Sequence, residues 1–244
     1  MTVAISVVLP AKNEAENVEP LVEEILKALA NHATFEIIYV NDGSTDDTLS
    51  ALQAMRVKAP QLSVYSHDVC VGQSRSLYDG IHQARYDLIA TLDADGQNDP
   101  ADIPLLLARL LEPNPNGETI HMVAGHRVHR HDPWHKRLSS KLANGIRGWL
   151  LKDDTPDTGC GIKVFRRDSF LVLPFFDHMH RFLPALFLRE GFRVLHHPVH
   201  HRERLRGQSK YGFMNRFFVG ITDMFGVWWL NKRFVKAHLH QEWE

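Results

Sequence analysis

VAISVVLPAKNEAENVEPLVEEILKAL, residues 3–29, decides the fold. Its first nine residues are rich in β-branched side chains and stopped by Pro10, the signature of a short buried strand. Val18, Leu21, Val22, Ile25, Leu26 and Leu29 then recur at helical spacing. Asn13 followed three residues later by Glu16 predicts a helix N-cap with its capping-box partner. A buried strand feeding an amphipathic helix is half of a βαβ unit, and the next seventy residues repeat it. FEIIYV (35–40) is a second strand halted by the turn NDGSTDDT, and Asp47, Leu49, Leu52 and Met55 belong to a second helix. LSVYSH (62–67) is a third strand, GQSRSLYDGIHQA (72–84) a third helix and YDLIATLDAD (86–95) a fourth strand with an acidic end. That alternation predicts a mainly parallel sheet covered by helices on both faces. Ligands on such sheets bind at the carboxyl ends of the strands, where both acidic turns, Asp42 and Asp93 to Asp95, fall.

Beyond residue 102 the pattern loosens. IPLLLARLLEP predicts a helix ending at a Pro-Asn-Pro-Asn-Gly turn, and HMVAGHR a strand. With no low-complexity linker and no internal repeat, the 244 residues are expected to form one α/β domain, residues 1–212, followed by an amphipathic helical extension, 213–244. Apolar residues at 44% and charged residues at 23% describe an ordinary globular chain. Cys70 and Cys160 have no metal-like or redox-like spacing, and the N-terminus lacks the basic n-region of a signal peptide, so a cytoplasmic setting is expected. FFVGITDMFGVWWLN (217–231) is interrupted by Asp223 and falls short of the roughly 20 apolar residues of a membrane span. Its two tryptophans beside Lys232 and Arg233 suit a helix lying at a membrane interface. A helix packing Trp228 and Leu230 onto the domain fits the same residues.

Asp93, Asp95 and Asp99 of TLDADGQNDP (91–100) are like charges crowded at a strand end. Carboxylates at i and i+2 leaving a strand can face the same way and hold a hard divalent cation, with Gln97 adding a neutral oxygen two residues on. An isolated D-x-D is more often a solvated turn, and the βαβ context is what favours the cation here. GHRVHRHDPWHKRLSSKLANGIR (125–147) carries six Lys and Arg residues against a single acid, Asp132. That imbalance suits phosphate, which guanidinium groups bind bidentately. Nucleic acid is not expected as the partner, because net charge is −1 and stacking aromatics are few. The histidine-rich stretches, His126, His129 and His131 or His196, His197, His200 and His201, lack zinc-ligand spacing and read as core or surface.

VVLPAKNEAENV, VNDGSTDDT and LDADGQNDP, followed by DTGCGIKVFRR, MHRFLP and an R-x-x-G-x-S-K-Y segment, resemble in order and spacing the family 2 glycosyltransferases. The likeness is to the branch of dolichol-phosphate mannose synthases and undecaprenyl-phosphate sugar transferases, and it runs from about residue 3 to 230. It implies a Rossmann-like nucleotide-sugar domain of the GT-A type and inverting transfer from a nucleoside-diphosphate sugar to a polyprenyl phosphate, with Mg2+ or Mn2+ as cofactor. It places Pro10, Asn13, Glu14, Asp42 and Ser44 around the nucleotide and Asp93 near the sugar and diphosphate. Asp95 and Gln97, with Asp93 beside them, would hold the metal. Arg127 and Arg137 would take the acceptor phosphate, with Ser140 assisting and Lys136 able to replace Arg137. Asp157 stands where relatives carry a candidate base, with Lys163 in the same segment. Arg204, Ser209 and Lys210 would meet the diphosphate. The expected partners are therefore a sugar nucleotide, a polyprenyl-phosphate lipid and the cytosolic face of a membrane or a membrane protein. A soluble or glycan acceptor, or a non-catalytic sugar-nucleotide-binding subunit, remains the alternative, since many lipid-type relatives carry spanning helices that 1–244 lacks.

Overall fold

The computed structural model describes residues 3–113, 117–127, 147–148, 150–151, 153, 155–202 and 213–235, the last with backbone alone for 213–219. The first half alternates as its apolar pattern dictates: β1 (Ala4–Ala11), α1 (Ala15–Leu29), β2 (Thr34–Asp42), α2 (Thr48–Lys58), β3 (Leu62–His67), α3 (Gln73–Gln83) and β4 (Leu88–Thr91). A 3-10 turn, Pro100–Asp102, leads into α4 (Ile103–Leu111) and β5 (Ile120–Arg127). The second half carries β6 (Lys163–Arg166), α5 (Arg167–Leu171), a 3-10 turn at Met179–Arg181, α6 (Leu183–Arg189), β7 (Arg193–Val199) and α7 (Phe213–Lys232).

These strands make one seven-stranded sheet in the order β3-β2-β1-β4-β6-β5-β7. The pairs β1–β2, β2–β3, β1–β4 and β5–β7 are parallel, whereas β6 is antiparallel to both β4 and β5. Strand β1 is buried on both faces, as a central strand of a doubly covered sheet must be. Ile5, Val7 and Leu9 join α1, α2 and α4 in one core, while Val8 joins α3, α5 and α6 in the other. Helix α7 closes onto the second core through Val227, which is fully buried, and Met224.

Two local expectations are corrected. Asn13 does not cap α1: it sits at φ 51°, its side-chain Oδ1 accepts from Thr45 N at 2.8 Å, and Glu14 occupies the cap position without a side-chain cap bond. The side chain is drawn instead to the facing turn, where its Nδ2 also reaches Thr45 Oγ1 at 3.2 Å. The fourth strand stops at Thr91, and Asp93 to Asp95 lie in the turn beyond it. There the backbone amide of Asp93 donates to Asn98 Oδ1 at 3.2 Å rather than to a neighbouring strand.

Candidate active site

The parallel order puts the ends of β2, β1 and β4 side by side, and the predicted residues gather there. Pro10 and Ala11 of β1 pair with Val40 and Asn41 of β2. Just beyond them, Asn13 N donates to Ser44 Oγ at 2.9 Å and Glu14 N to Thr48 Oγ1 at 2.8 Å. Thus Asn13, Glu14 and Ser44 form one cradle across two loops. Asp42, buried at the end of β2, accepts from Val71 N at 2.8 Å, Gly72 N at 3.0 Å and the Cys70 thiol at 3.2 Å, with His67 Nδ1 3.3 Å away. Burial would raise its pKa, but the two backbone donors and the thiol outweigh that and hold the carboxyl below its usual range.

Asp93 is the opposite case. Burial, then the like charge of Asp95, push its pKa up to about 6, against the pull of Lys163 and Gln73. Gln73 Nε2 donates to Asp93 Oδ1 at 2.8 Å. On its other side the carboxylate lies so close to Gly161 that a Cβ there would meet Oδ2 at 2.2 Å, so any side chain at 161 would displace it. Asp95 Oδ1 accepts from Gln97 N at 3.1 Å, which folds the turn onto itself.

The direction of β6 supplies the positive charge. Because it runs against its neighbours, its first residue, Lys163, pairs with Thr91 at the acidic end of β4 and with Ala124 of β5. Lys163 is 5% exposed, donates to the Cys160 carbonyl, and is drawn upon by Asp93 and Asp157. Burial lowers its pKa, and the neighbouring acids and Cys160 resist that. Arg127, at the end of β5, forks onto Asp157: Nε to Oδ2 at 2.6 Å and Nη2 to Oδ1 at 2.8 Å, with its own N–H 3.2 Å from Oδ2. Asp157 and the Arg127 guanidinium are both largely buried. Arg147, the last residue of the basic segment, is buried against Asp153 at 2.5 Å with its guanidinium 5.9 Å from the Phe182 ring.

Arg137, with Ser140 and Lys136, and Arg204, Ser209 and Lys210 lie outside the described residues. Among those described, the structure adds Gln73, Gly161 and Asn98 to the acids, and Ser74, whose Oγ is 2.7 Å from His180 Nδ1. Burial, then the charge of Lys163, push His180 down to about 3, so its imidazole is neutral. Gln73 was legible in one respect: it opens the helix after β3, at the same sheet edge as the acids.

The donor set suits a hard divalent cation. Two carboxylates two residues apart repel one another, and that repulsion is one cause of the raised Asp93 pKa; a cation between them would relieve it. No group of three or more His, Cys, Asp or Glu that could hold a metal occurs among the described residues, so amide, phosphate and water oxygens would have to complete the shell.

Residues 6–173 match the model of Glycosyl transferase family 2. The chain belongs to that family. It is 33% identical over 228 residues to the dodecaprenyl-phosphate galacturonate synthase of Rhizobium johnstonii, covering 91% of this chain and 66% of that protein. Among solved structures, the mannosyltransferase PcManGT from Pyrobaculum calidifontis, in complex with GDP-Man and Mn2+, superposes with a TM-score of 0.68 at 20% identity over 96% of this chain and 65% of its own. Glucosyl-3-phosphoglycerate synthase from Mycobacterium tuberculosis, in complex with Mn2+, UDP and its product, gives 0.62 at 20% identity, over 93% and 79%. The chain therefore spans about two thirds of the length of the first two relatives, and these structural likenesses establish the GT-A type of fold.

Proposed function

We propose that this protein transfers a hexose or related sugar from a nucleoside diphosphate to a polyprenyl phosphate, with inversion and with Mg2+ or Mn2+ bound. The observation that carries the reading is the charge arrangement at one sheet edge. Asp93 and Asp95 stand at the end of β4, Lys163 is buried behind them, and the Asp157–Arg127 fork closes the far side. The 33% identical polyprenyl-phosphate sugar synthase supplies the acceptor class.

In this reading Pro10, Asn13, Glu14, Asp42 and Ser44 line the nucleotide, Asp93 faces the sugar, and Asp95 and Gln97 hold the cation. A bound Mg2+ or Mn2+ would neutralise the departing diphosphate, the costly charge in breaking a sugar–phosphate bond. Arg204, Ser209 and Lys210 would complete that neutralisation, and Arg127 and Arg137 would seat the acceptor phosphate. An acceptor phosphate oxygen attacks the anomeric carbon from the face opposite the diphosphate; the carbon–oxygen bond to the diphosphate breaks and its electrons leave with it. No proton need be removed, because a phosphate monoester has a second pKa of about 6 and is already ionised near neutrality. The chemistry then needs alignment and charge stabilisation. Asp157, with both oxygens on Arg127, serves as the orienter of that arginine rather than as a base.

Residues 1–212 would be the transferase and 213–244 an extension that rests on the cytosolic membrane face. Among the described residues no helix is long and apolar enough to cross a membrane. Radiolabelled sugar from UDP-glucose, UDP-galacturonate and GDP-mannose, offered with undecaprenyl phosphate and Mn2+, should enter an organic-extractable lipid with one of the donors. Asp95→Ala should abolish transfer while leaving the far-UV spectrum and melting temperature unchanged. Label that moves only to a soluble acceptor would overturn the lipid reading, and full transfer by Asp95→Ala would overturn the metal role.

A further inference from the structure

The acidic turn does not stand alone: three residues that leave β7 grip it from outside. His200 N and Nδ1 contact Asp102 Oδ2 and Oδ1, each at 2.8 Å, and Asp102 is 1% exposed. His201 forms an antiparallel bridge with Asn98. Arg202 N donates to the Gln97 carbonyl at 3.0 Å, while its guanidinium reaches Asp99 Oδ1 at 2.8 Å and Glu24 Oε2 at 2.7 Å. The three residues thus engage Gln97, Asn98, Asp99 and Asp102 from a single passing segment. None of them belongs to the R-x-x-G-x-S-K pattern, which begins at Arg204.

We infer that Arg202 is a positioning residue for the cation site, acting through the turn it holds. The path is short. Gln97 donates its own N–H to Asp95 Oδ1 and accepts from Arg202 N on its carbonyl, so its peptide planes are fixed on both sides. Asn98, bridged to His201, accepts the Asp93 N–H on its side-chain oxygen. The clamp therefore reaches Asp95 through Gln97 and Asp93 through Asn98. The guanidinium fork onto Asp99 and Glu24 fastens the Arg202 backbone where its N–H meets Gln97; without the fork only the His200 and His201 contacts, at Asp102 and Asn98, hold the two loops in register. Partners one step removed from a metal typically govern its affinity by orienting the ligands.

The inference rests on the cation reading of Asp93, Asp95 and Gln97, and Mn2+ alone tests the two separately. Uptake of Mn2+ is read from loss of the free-ion EPR signal in wild type, Arg202→Met, Asp99→Asn and Asp95→Asn, each checked for its melting temperature. Asp99→Asn keeps an acceptor for the Ala101 N–H, which Asp99 Oδ1 takes at 3.0 Å, so it serves if Arg202→Met does not fold. We expect Arg202→Met and Asp99→Asn to weaken Mn2+ binding by about tenfold, the size seen for outer partners of metal sites, with Arg202→Lys intermediate. Folded variants that bind Mn2+ as wild type does, while Asp95→Asn does not, would overturn the positioning role. A wild type that takes up Mn2+ no better than Asp95→Asn would overturn the cation reading itself.

Discussion

Asp93 and Asp157 are both carboxylates placed in the interior at the same sheet edge, and their surroundings push them to different uses. Asp157 is given a guanidinium that binds both its oxygens, so its charge is fully compensated. Breaking such a pair by removing one partner leaves a buried charge alone, which costs about 3 kcal/mol or more. Asp157→Ala should therefore lower stability in chemical denaturation by that order. A double variant with Arg127→Met should recover part of the loss, because no charge is then stranded. Asp93 lacks a full partner and its pKa is raised to about 6, chiefly by burial and then by Asp95. The sign of the pH effect follows. A carboxyl whose folded pKa exceeds its unfolded value favours the fold most when protonated, and that contribution fades as pH rises from about 4, the unfolded value, to about 6. Comparing wild type with Asp93→Asn across pH 4–7 isolates it: the wild type should lose stability relative to the variant through that window. Mn2+ should shift the window downward by competing with the proton.

At the scale of elements, the turn between β3 and α3 does more than connect them. Val71 and Gly72 donate backbone N–H groups to Asp42, Gln73 donates its side chain to Asp93, and Ser74 meets His180. Four consecutive residues thus span the end of β1 from the predicted nucleotide acid to the predicted sugar acid. The turn is possible because Gly72 sits at φ 96°, while an added Cβ would meet only Asp177 at 3.5 Å. Gly72→Ala consequently has room but the wrong backbone, a strain of about 1–2 kcal/mol. It should weaken sugar-nucleotide binding in calorimetry while Val69→Ala, exposed in the same loop, leaves it unchanged. How much of this was legible in sequence divides along the same line. The strands and helices through β4 were readable because burial imposes a period of 2 or 3.6 on apolar residues, and the site's location followed from the strand ends. The antiparallel run of β6, which brings Lys163 to Asp93, was not, since strand direction leaves no periodic trace. Nor was the fate of Asn13: a capping residue and a loop-bridging one look alike until the facing loop is known.

Across the whole molecule, the predicted chemistry and the predicted membrane contact are joined by a continuous set of contacts. Asp223 of α7 lies 3.1 Å from His178, which precedes the 3-10 turn carrying His180, and His180 meets Ser74 beside Gln73 and Asp93. Helix α7 presents two faces. Met224 and Val227 pack into the core, while Phe225, Trp228 and Trp229 are 55%, 37% and 54% exposed. The sequence left open whether this helix packs Trp228 and Leu230 onto the domain or lies at an interface; it packs, but through Met224 and Val227, and Trp228 is left on the exposed side. Three large aromatics on an outward face, followed by Lys232 and Arg233, fit a lipid surface, because indole rings favour the headgroup level and cations favour anionic lipids. A surface of this kind would bring the site to a lipid acceptor held in the bilayer. The full chain should therefore co-sediment with vesicles containing phosphatidylglycerol, less so at high salt, where screening removes the cationic contribution. Phe225→Ser with Trp229→Ser should abolish co-sedimentation, while binding of a sugar nucleotide in solution stays intact, since neither side chain touches the acids. Transfer to undecaprenyl phosphate in vesicles should fall with it, and transfer to a short-chain, water-soluble polyprenyl phosphate should persist. Unchanged sedimentation by the double variant would overturn the lipid contact of the aromatic face.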